Sequence, residues 1–407
     1  MLRSDDDAVA VTGLGVIGPH GDNPAAMFDA LMAGKSGLRR WNGATDPVPV
    51  GAVDFDPSRW FTKLQMTGVD RVSQLAVAAA DMARADAGAP EVDPVRVGVF
   101  VGCGMGGAIS IETAFRSYAT TGRVPPLSIP AGMGNAPAAH IAMRGGFKGP
   151  VLSYCVACAS SAVAIAEAGK SIRAGEIDLA FAGGTEAMLL PAIVRAWQSL
   201  QTLATPDPER IETSCRPFAL DRSGFVLAEG TAFLVLEPTS VAERRGARIY
   251  AELVGSGMSC DATHLTKPDA AGQARAIRSA LAAAKLEPAQ VGYCNAHGTA
   301  TAAGDVVECD ALRSVWGDAI DGLRVSSTKS MHGHLLGGAG ALEAMITVLA
   351  LHRSQIPPTA FCTKPDPKCA VPLVRERGED APGLRAAISN SFAFGGTNVV
   401  LALRRYH

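Results

Sequence analysis

Runs of apolar, strand-like residues alternate with alanine-rich helical segments along most of the chain, and this alternation restricts the fold more than any other feature. "AVAVTG", "VRVGVFVG", "LAFAGG", "TAFLVLE", "IYAELVG", "VGYCNAHG", "RVSSTKS", "AAISNSF" and "NVVLALR" read as strands. Several are apolar throughout, as in sheets covered on both faces by helices, so the class is α/β. Two strand ends echo each other, "LAFAGGTEAM" at 179–188 and "SNSFAFGGTNVV" at 389–400, which hints at duplication of one βα-rich unit. No Pro/Ser-rich linker separates the halves, and "EPTSVAERRGAR" at 237–248 is the best crossover between them. The expectation is one compact body of two closely packed halves, 1–250 and 251–407.

Charge excludes several classes of partner. With 37 basic and 39 acidic residues there is no global attraction for nucleic acid or for an anionic membrane. The longest apolar segments, such as "ALEAMITVLALH", are broken by Glu343 or by glycines well short of a membrane span. The opening "MLRSDDDAVAV" places Asp5, Asp6 and Asp7 where a signal peptide needs an apolar stretch, so a cytoplasmic location is expected. The nine cysteines are odd in number and scattered, unlike a disulfide framework, and most should be small buried apolar residues.

Two glycine patterns, Gly13-x-Gly15-x-x-Gly18 and Gly102-x-Gly104-x-x-Gly107, match the dinucleotide fingerprint. Neither is followed at about 20 residues by the acidic ribose ligand that such a site requires. They read as turn and close-packing glycines.

The stretch "CVACASSAVAI" raises a sharper question, because Cys155 and Cys158 stand three residues apart. A structural zinc site needs a second close pair, which the other seven cysteines do not supply. A thioredoxin-type pair belongs near the start of a small βαβ domain, not deep in a long chain. The remaining reading is geometric. "VLSYCVA" is expected as a buried strand and "SSAVAIAEAGKSIRAGEID" as a buried helix ended by Gly175. Cys158 then stands at a helix N-terminus, where the dipole favours a thiolate and a backbone N–H can hold an oxyanion. Cys155, in the strand, is expected to be a packing residue.

A nucleophile needs partners. "NAHGTATAAGD" places His297 just past an apolar strand, and "SSTKSMHGHLLGGAGALEA" places Lys329, His332 and His334 before a small-residue helix. His332-Gly-His334 is a weak metal pattern, having neither thiol nor carboxylate beside it.

"VACASS", "NAHGTATAAGD", "SSTKSMHGHLLGGAGALE" and "NSFAFGGTN", in this order and spacing, resemble the β-ketoacyl-acyl-carrier-protein synthases of the thiolase superfamily. The likeness runs nearly end to end, through "VTGLGVIGP" and "RPFALDRSGFVLAEGTAFLVLE", and fits the elongating enzymes better than the initiating ones. The resemblance implies a thiolase-like fold, two similar βα halves in a five-layered α-β-α-β-α body, with the nucleophile in the first half and the histidines in the second. It also implies an activity, the decarboxylative condensation of an acyl chain with a malonyl unit in fatty acid or polyketide elongation.

On that resemblance Cys158 carries the acyl chain as a thioester. His297 and His334 polarise the malonyl thioester carbonyl. Phe394 supplies an oxyanion N–H and a gating ring. Lys329 stands beside the histidines, with Glu343, Asp305 and Glu308 as a supporting shell. Thr299, Thr301 and Thr266 are candidates for contact with the pantetheine arm, and Met105 for lining the acyl pocket. No metal or other cofactor is implied, since the substrates travel on the phosphopantetheine of an acyl carrier protein. The expected assembly is a homodimer, with a heterodimer containing a ketosynthase-like subunit as the other arrangement.

Two departures from the family pattern stand out. His332 occupies a place where a small hydroxyl residue is usual, so a third imidazole either approaches the catalytic pair or points away. In "KLQMTGVDR" only Lys63 and Arg71 remain of the usual basic docking patch, with Thr67 and Gly68 between them, leaving Arg123 and Arg195 as possible replacements. The rivals are a thiolase, which uses a second cysteine in place of the histidine pair, and a silent chain-length factor, which typically lacks the nucleophile.

Overall fold

Gly13 and Gly15 show how tightly the layers meet. They lie in the strand Val9–Ile17, which is buried throughout. A Cβ at Gly13 would stand 2.2 Å from the Ala83 carbonyl oxygen, and one at Gly15 would stand 1.9 Å from that of Ala79. Both carbonyls belong to the helix Arg71–Asp86, so these positions must be glycine for helix and strand to touch. Gly102 does the same against the Ser161 nitrogen, at 2.1 Å. Gly13, Gly15 and Gly102 are therefore close-packing glycines, whereas a Cβ at Gly18 would meet nothing within 4 Å.

The structure is a computed structural model that describes residues 8–43 and 46–407. The acidic start Asp5–Asp7 lies outside the described residues.

Ten strands form the main sheet in two runs of five. In the first run the order is Val151–Tyr154, Val97–Gly102, Leu179–Glu186, Gly230–Pro238 and Val9–Ile17. In the second it is Arg324–Ser326, Tyr293–Asn295, Ala386–Phe392, Thr397–Arg404 and Ala251–Cys260. Numbered along the chain within each run, both read third, second, fourth, fifth, first. The second strand is parallel to the third and fourth in both runs, and the fifth is antiparallel to its two neighbours. The runs meet where Val9–Val11 pairs antiparallel with Ala251–Leu253.

Helices complete an α/β body of five layers. Arg71–Asp86 and Ala136–Gly145 cover the outer face of the first run, and Ala270–Ala284 with Gly304–Trp316 cover that of the second. Ser160–Arg173 and Ala339–Arg353 pack on each other and on strands of both runs. Ala339–Leu351 is buried at every position, as a helix inside the central layer must be. Gly175 follows the Ser160–Arg173 helix with φ +71°, the left-handed conformation that ends it.

The echo at 179–188 and 389–400 falls on the fourth strand of each run, though not in one register. Gly183 and Gly184 lie inside their strand. Gly395 and Gly396 form the turn after theirs, with φ +87° and +78°.

One expectation fails. The strand Val151–Tyr154 is not buried: it is the outer edge of the sheet, with Val151 38% and Leu152 45% exposed. An apolar run of four residues marks a strand without telling which faces are covered.

Candidate active site

The chain leaves the exposed edge strand, passes Cys155, and turns sharply into the central layer at Ala157, whose φ is +50°. For a residue with a Cβ that conformation costs on the order of 1–3 kcal/mol and must be held from outside. Ser160 holds it: its hydroxyl accepts from the Val156 N–H at 2.9 Å and donates to the Ala157 carbonyl at 2.6 Å. The turn delivers Cys158, 7% exposed, two residues before the first helical residue, Ser160.

Cys158 Sγ lies 3.1 Å from His334 Nε2, and the backbone N–H of Phe394 is near enough to favour its ionised form. Burial pushes the thiol up to about 12, opposed by the Lys329 charge and the Phe394 N–H. Burial thus works against the expected thiolate, and a helix start two residues away does not offset it. Cys155 is not a core packing residue either. It is exposed, with Sγ 3.4 Å from the Gly104 carbonyl oxygen.

The second run of strands brings both histidines to this thiol. His297 follows the strand Tyr293–Asn295. Its N–H and that of Gly298 donate to the two carboxylate oxygens of Glu308 at 2.8 and 2.7 Å. Asn390 Nδ2 donates to the same carboxylate at 3.0 Å. His334 is clamped through its backbone, with N–H donating to Val226 at 2.7 Å and carbonyl accepting from Ala228 at 3.0 Å. The rings meet edge to face, centroids 5.4 Å apart at 80°, and Phe225 packs edge-on against His334 at 5.3 Å. Burial first, then the positive charge of Lys329, holds both imidazoles well below their usual range, so they are neutral.

Lys329 is fully buried. Its Nζ donates to the His297 carbonyl at 2.6 Å, lies 3.4 Å from His297 Nδ1, and forms an ion pair with Glu343. A donor at Nδ1 leaves the His297 proton on Nε2. Burial lifts the Glu343 carboxyl to about 7, against the pull of Lys329. Asp305 lies elsewhere in the shell: it accepts from the Phe218 N–H at 2.7 Å, with Arg222 3.9 Å away. It therefore braces the Phe218 turn and does not touch the histidine pair.

His332 points away from the pair. Its Nδ1–H donates to the Gly333 carbonyl at 2.7 Å, and its Nε2 accepts from the Thr328 hydroxyl at 2.9 Å. Both nitrogens are used, and the His332/His334 metal pattern is not assembled. Among the described residues, one group of three metal-capable side chains converges: Cys158, His297 and His334, with ligand atoms within 4.8 Å of one another.

A cavity of about 240 Å³ opens from these residues. Thr299 and Thr301 line it, their hydroxyls 3.1 Å apart. It reaches the surface beside exposed Leu265, Thr266 and Lys267. Phe394 lines it too, its ring 6.2 Å from that of Trp197. The Gly395 N–H donates to the Leu265 carbonyl at 2.7 Å, tying the Phe394 turn to the cavity mouth. Met105 departs from expectation: it does not line this cavity but is 48% exposed, next to the open edge strand. The backbone turn that takes its N–H to Glu186 swings its side chain outward.

Sequence reasoning missed Glu186. Fully buried, it accepts from the N–H groups of Gly104, Met105 and Gly337, and so joins the first run to the segment carrying His334. Burial raises its carboxyl to about 7. The signal was the acid closing the echoed "AGGTE". Trp197 and Phe225, which wall the cavity, carried no local signal.

Comparison with known proteins places this geometry in context. Residues 6–242 match the model of the beta-ketoacyl synthase N-terminal domain, and residues 250–363 that of the C-terminal domain. The 3-oxoacyl-[acyl-carrier-protein] synthase 2 of Coxiella burnetii (strain RSA 493 / Nine Mile phase I) is 38% identical over 98% of both chains. Among solved structures, the ishigamide ketosynthase/chain length factor superposes with TM-score 0.91 at 34% identity, covering 98% of this chain and 100% of that one. A ketosynthase bound to the hexaketide, in complex with its type II polyketide synthase acyl-carrier protein, gives 0.90 at 30%, with the same coverage.

Proposed function

The chain belongs to the beta-ketoacyl synthase family, and on that premise we propose the part each buried residue takes in chain elongation. The protein is an acyltransferase that condenses an acyl chain with a malonyl unit on an acyl carrier protein, giving a β-ketoacyl carrier protein and CO2.

In the first half-reaction the Cys158 sulfur attacks the thioester carbonyl of the acyl donor. Its proton passes to His334 Nε2, 3.1 Å away, and then to the departing carrier thiol. The negative oxygen of the tetrahedral intermediate is held by the Phe394 N–H, which lies close to the sulfur. In the second half-reaction the malonyl thioester enters, and its carbonyl oxygen accepts from the Nε2–H groups of His297 and His334. Loss of CO2 leaves an enolate stabilised by those donors; its carbon attacks the acyl-Cys158 carbonyl, the C–S bond breaks as the β-ketoacyl product forms, and the released Cys158 thiolate takes a proton from solvent to restore the thiol. Lys329 fixes the His297 tautomer from the Nδ1 side. Nothing locks that of His334, whose Nδ1 has no hydrogen-bond partner. That ring can thus take a proton at Nε2 in one half-reaction and offer one in the other.

Thr299 and Thr301 take the pantetheine arm, and Thr266 meets it at the surface. No metal or redox cofactor has a step in this sequence, so activity is expected to survive exhaustive chelation. The exposed apolar edge Val151–Tyr154, beside exposed Met105 and Met133, supports assembly through this edge. The partner is a second copy or a ketosynthase-like subunit, and Met105 meets the acyl chain there. No helix is long and apolar enough to cross a membrane among the described residues. Together with nine free thiols, this supports a cytoplasmic setting.

The observation that carries the reading is the approach of His334, from the second half of the chain, to within 3.1 Å of the buried Cys158 sulfur of the first. Mass spectrometry of the intact protein after incubation with acyl-carrier proteins, followed by peptide mapping, tests it. One acyl group on Cys158 is expected. Label on Cys155, or normal condensation by Cys158→Ala, overturns it. The chain-length-factor reading requires no acyl uptake at all, against the intact Cys158, His297 and His334.

A further inference from the structure

Cys158, His297 and His334 make the ligand set of a zinc site with one open position, and we propose that the free enzyme binds Zn2+ there as an inhibitor that acylation excludes. The atoms required are one sulfur and two imidazole nitrogens, all buried and within 4.8 Å of one another. Zinc bonds of about 2.3 Å to sulfur and 2.0–2.1 Å to nitrogen place tetrahedral ligands roughly 3.3–3.7 Å apart. Cys158 Sγ and His334 Nε2 are already at 3.1 Å. His297 presents Nε2, because its Nδ1 faces Lys329. The cavity leaves the fourth position to water. Binding replaces the Cys158 S–H with an S–Zn bond and releases that proton to solvent.

The surroundings are those of a transient occupant and not of a resident metal. Ligating histidines normally donate their second N–H to a carbonyl or carboxylate, a partner worth about 10- to 100-fold in affinity. Here His334 Nδ1 has no partner. A metal on His297 Nε2 would move the proton to Nδ1, facing the ammonium of Lys329. Both features weaken the site. Acylation removes it, because a thioester sulfur is no longer an anionic ligand. Zinc should therefore compete with the acyl donor and leave the acyl-enzyme untouched.

Co2+ is the probe, since a cobalt–thiolate bond absorbs in the near ultraviolet and reads binding without any turnover. Titration of the purified full chain should give one equivalent with that band. The band should vanish in Cys158→Ala and weaken about 10-fold or more in His297→Ala, the loss of a direct ligand exceeding that of an outer partner. Wild-type protein carrying an acyl group on Cys158 serves as the folded control and should show no band; zinc added to the unmodified protein should displace the cobalt. A band that survives in Cys158→Ala places the metal on another cysteine, such as exposed Cys155 or Cys260, and overturns the proposal. So does the absence of any band in wild type, or an acyl-enzyme that binds cobalt as well as the free form does. The acylation arm rests on the ketosynthase reading and the cobalt arm does not, so a chain that binds cobalt but accepts no acyl group would sink only the former.

Discussion

His334 Nε2 and Cys158 Sγ stand 3.1 Å apart although one lies 176 residues beyond the other in the chain. Both are buried, and burial favours the uncharged form of each, thiol and imidazole. The resting pair is neutral, and the thiolate forms only as a substrate carbonyl receives it.

Alkylation by iodoacetamide tests this state. An ordinary thiol ionises near about 8.5 and its reaction rate levels off above that. The Cys158 thiol, pushed up to about 12, should react slowly at neutral pH and keep gaining rate well past that point. Exposed Cys155 should label first, as peptide mapping over a pH series would read. A plateau for Cys158 below pH 7 would mean a preformed thiolate–imidazolium pair.

The two histidines should not fail alike. His334 touches the sulfur, whereas the Lys329 ammonium stands at His297 Nδ1. His297→Ala should lower malonyl decarboxylation by about 100-fold or more, the usual worth of one such donor, with acyl loading nearly intact. His334→Ala should slow both. Single-turnover loading, measured apart from release of labelled CO2, decides it, and equal losses in both variants would refute the division.

Glu186 makes stability depend on pH. Burial lifts its carboxyl from 4.5 to about 7, so the folded protein keeps a proton that the unfolded chain has lost. That contribution is fully present below about 4.5 and is lost as pH rises through about 7. Asp305 and Glu343, also raised to about 7, act in the same direction. Melting temperature should fall between pH 5 and 8. Glu186→Gln should flatten part of that fall and cost about 1–3 kcal/mol at pH 5, where its amide meets the Met105 N–H. An unchanged slope would show that Glu186 is ionised throughout.

Carrier docking should depend weakly on salt. Arg71, expected in the basic patch, is instead committed to Glu229 at 2.8 and 3.0 Å and to the Val53 carbonyl at 2.9 Å. Lys63, Arg123 and Arg195 remain exposed. With few charges left to steer a partner, kcat/KM for an acidic carrier should fall only shallowly across a salt series. Arg71→Ala should lower Tm more than it lowers kcat/KM. A steep salt dependence abolished by Lys63→Ala or Arg123→Ala would show that the patch is rebuilt from those residues.

Much of the site was legible because it sits on short segments whose chemistry is local. The "CVACASS" turn, "NAHGT" and "KSMHGH" each combine a reactive side chain with small neighbours, and the structure brings Cys158, His297, Lys329 and His334 together. What depends on distant packing was not legible. Four residues of strand do not reveal that Val151–Tyr154 is an open edge. Arg71 reads as a surface cation until Glu229, 158 residues away, is seen to claim it. His332 looked like a possible third imidazole at the site until the Thr328 hydroxyl and Gly333 carbonyl were found to hold it elsewhere.

The repeated strand order has a consequence for how the two halves share the chemistry. Cys158 and His334 occupy the same station in the two halves, the turn from third strand into central helix, and they meet where the halves face each other. Two identical halves would bring thiol against thiol or imidazole against imidazole, and neither pairing can pass a proton from nucleophile to base. The catalytic pair is thus a division of labour that only unlike copies can hold. Each half therefore depends on the other for the group it does not carry itself.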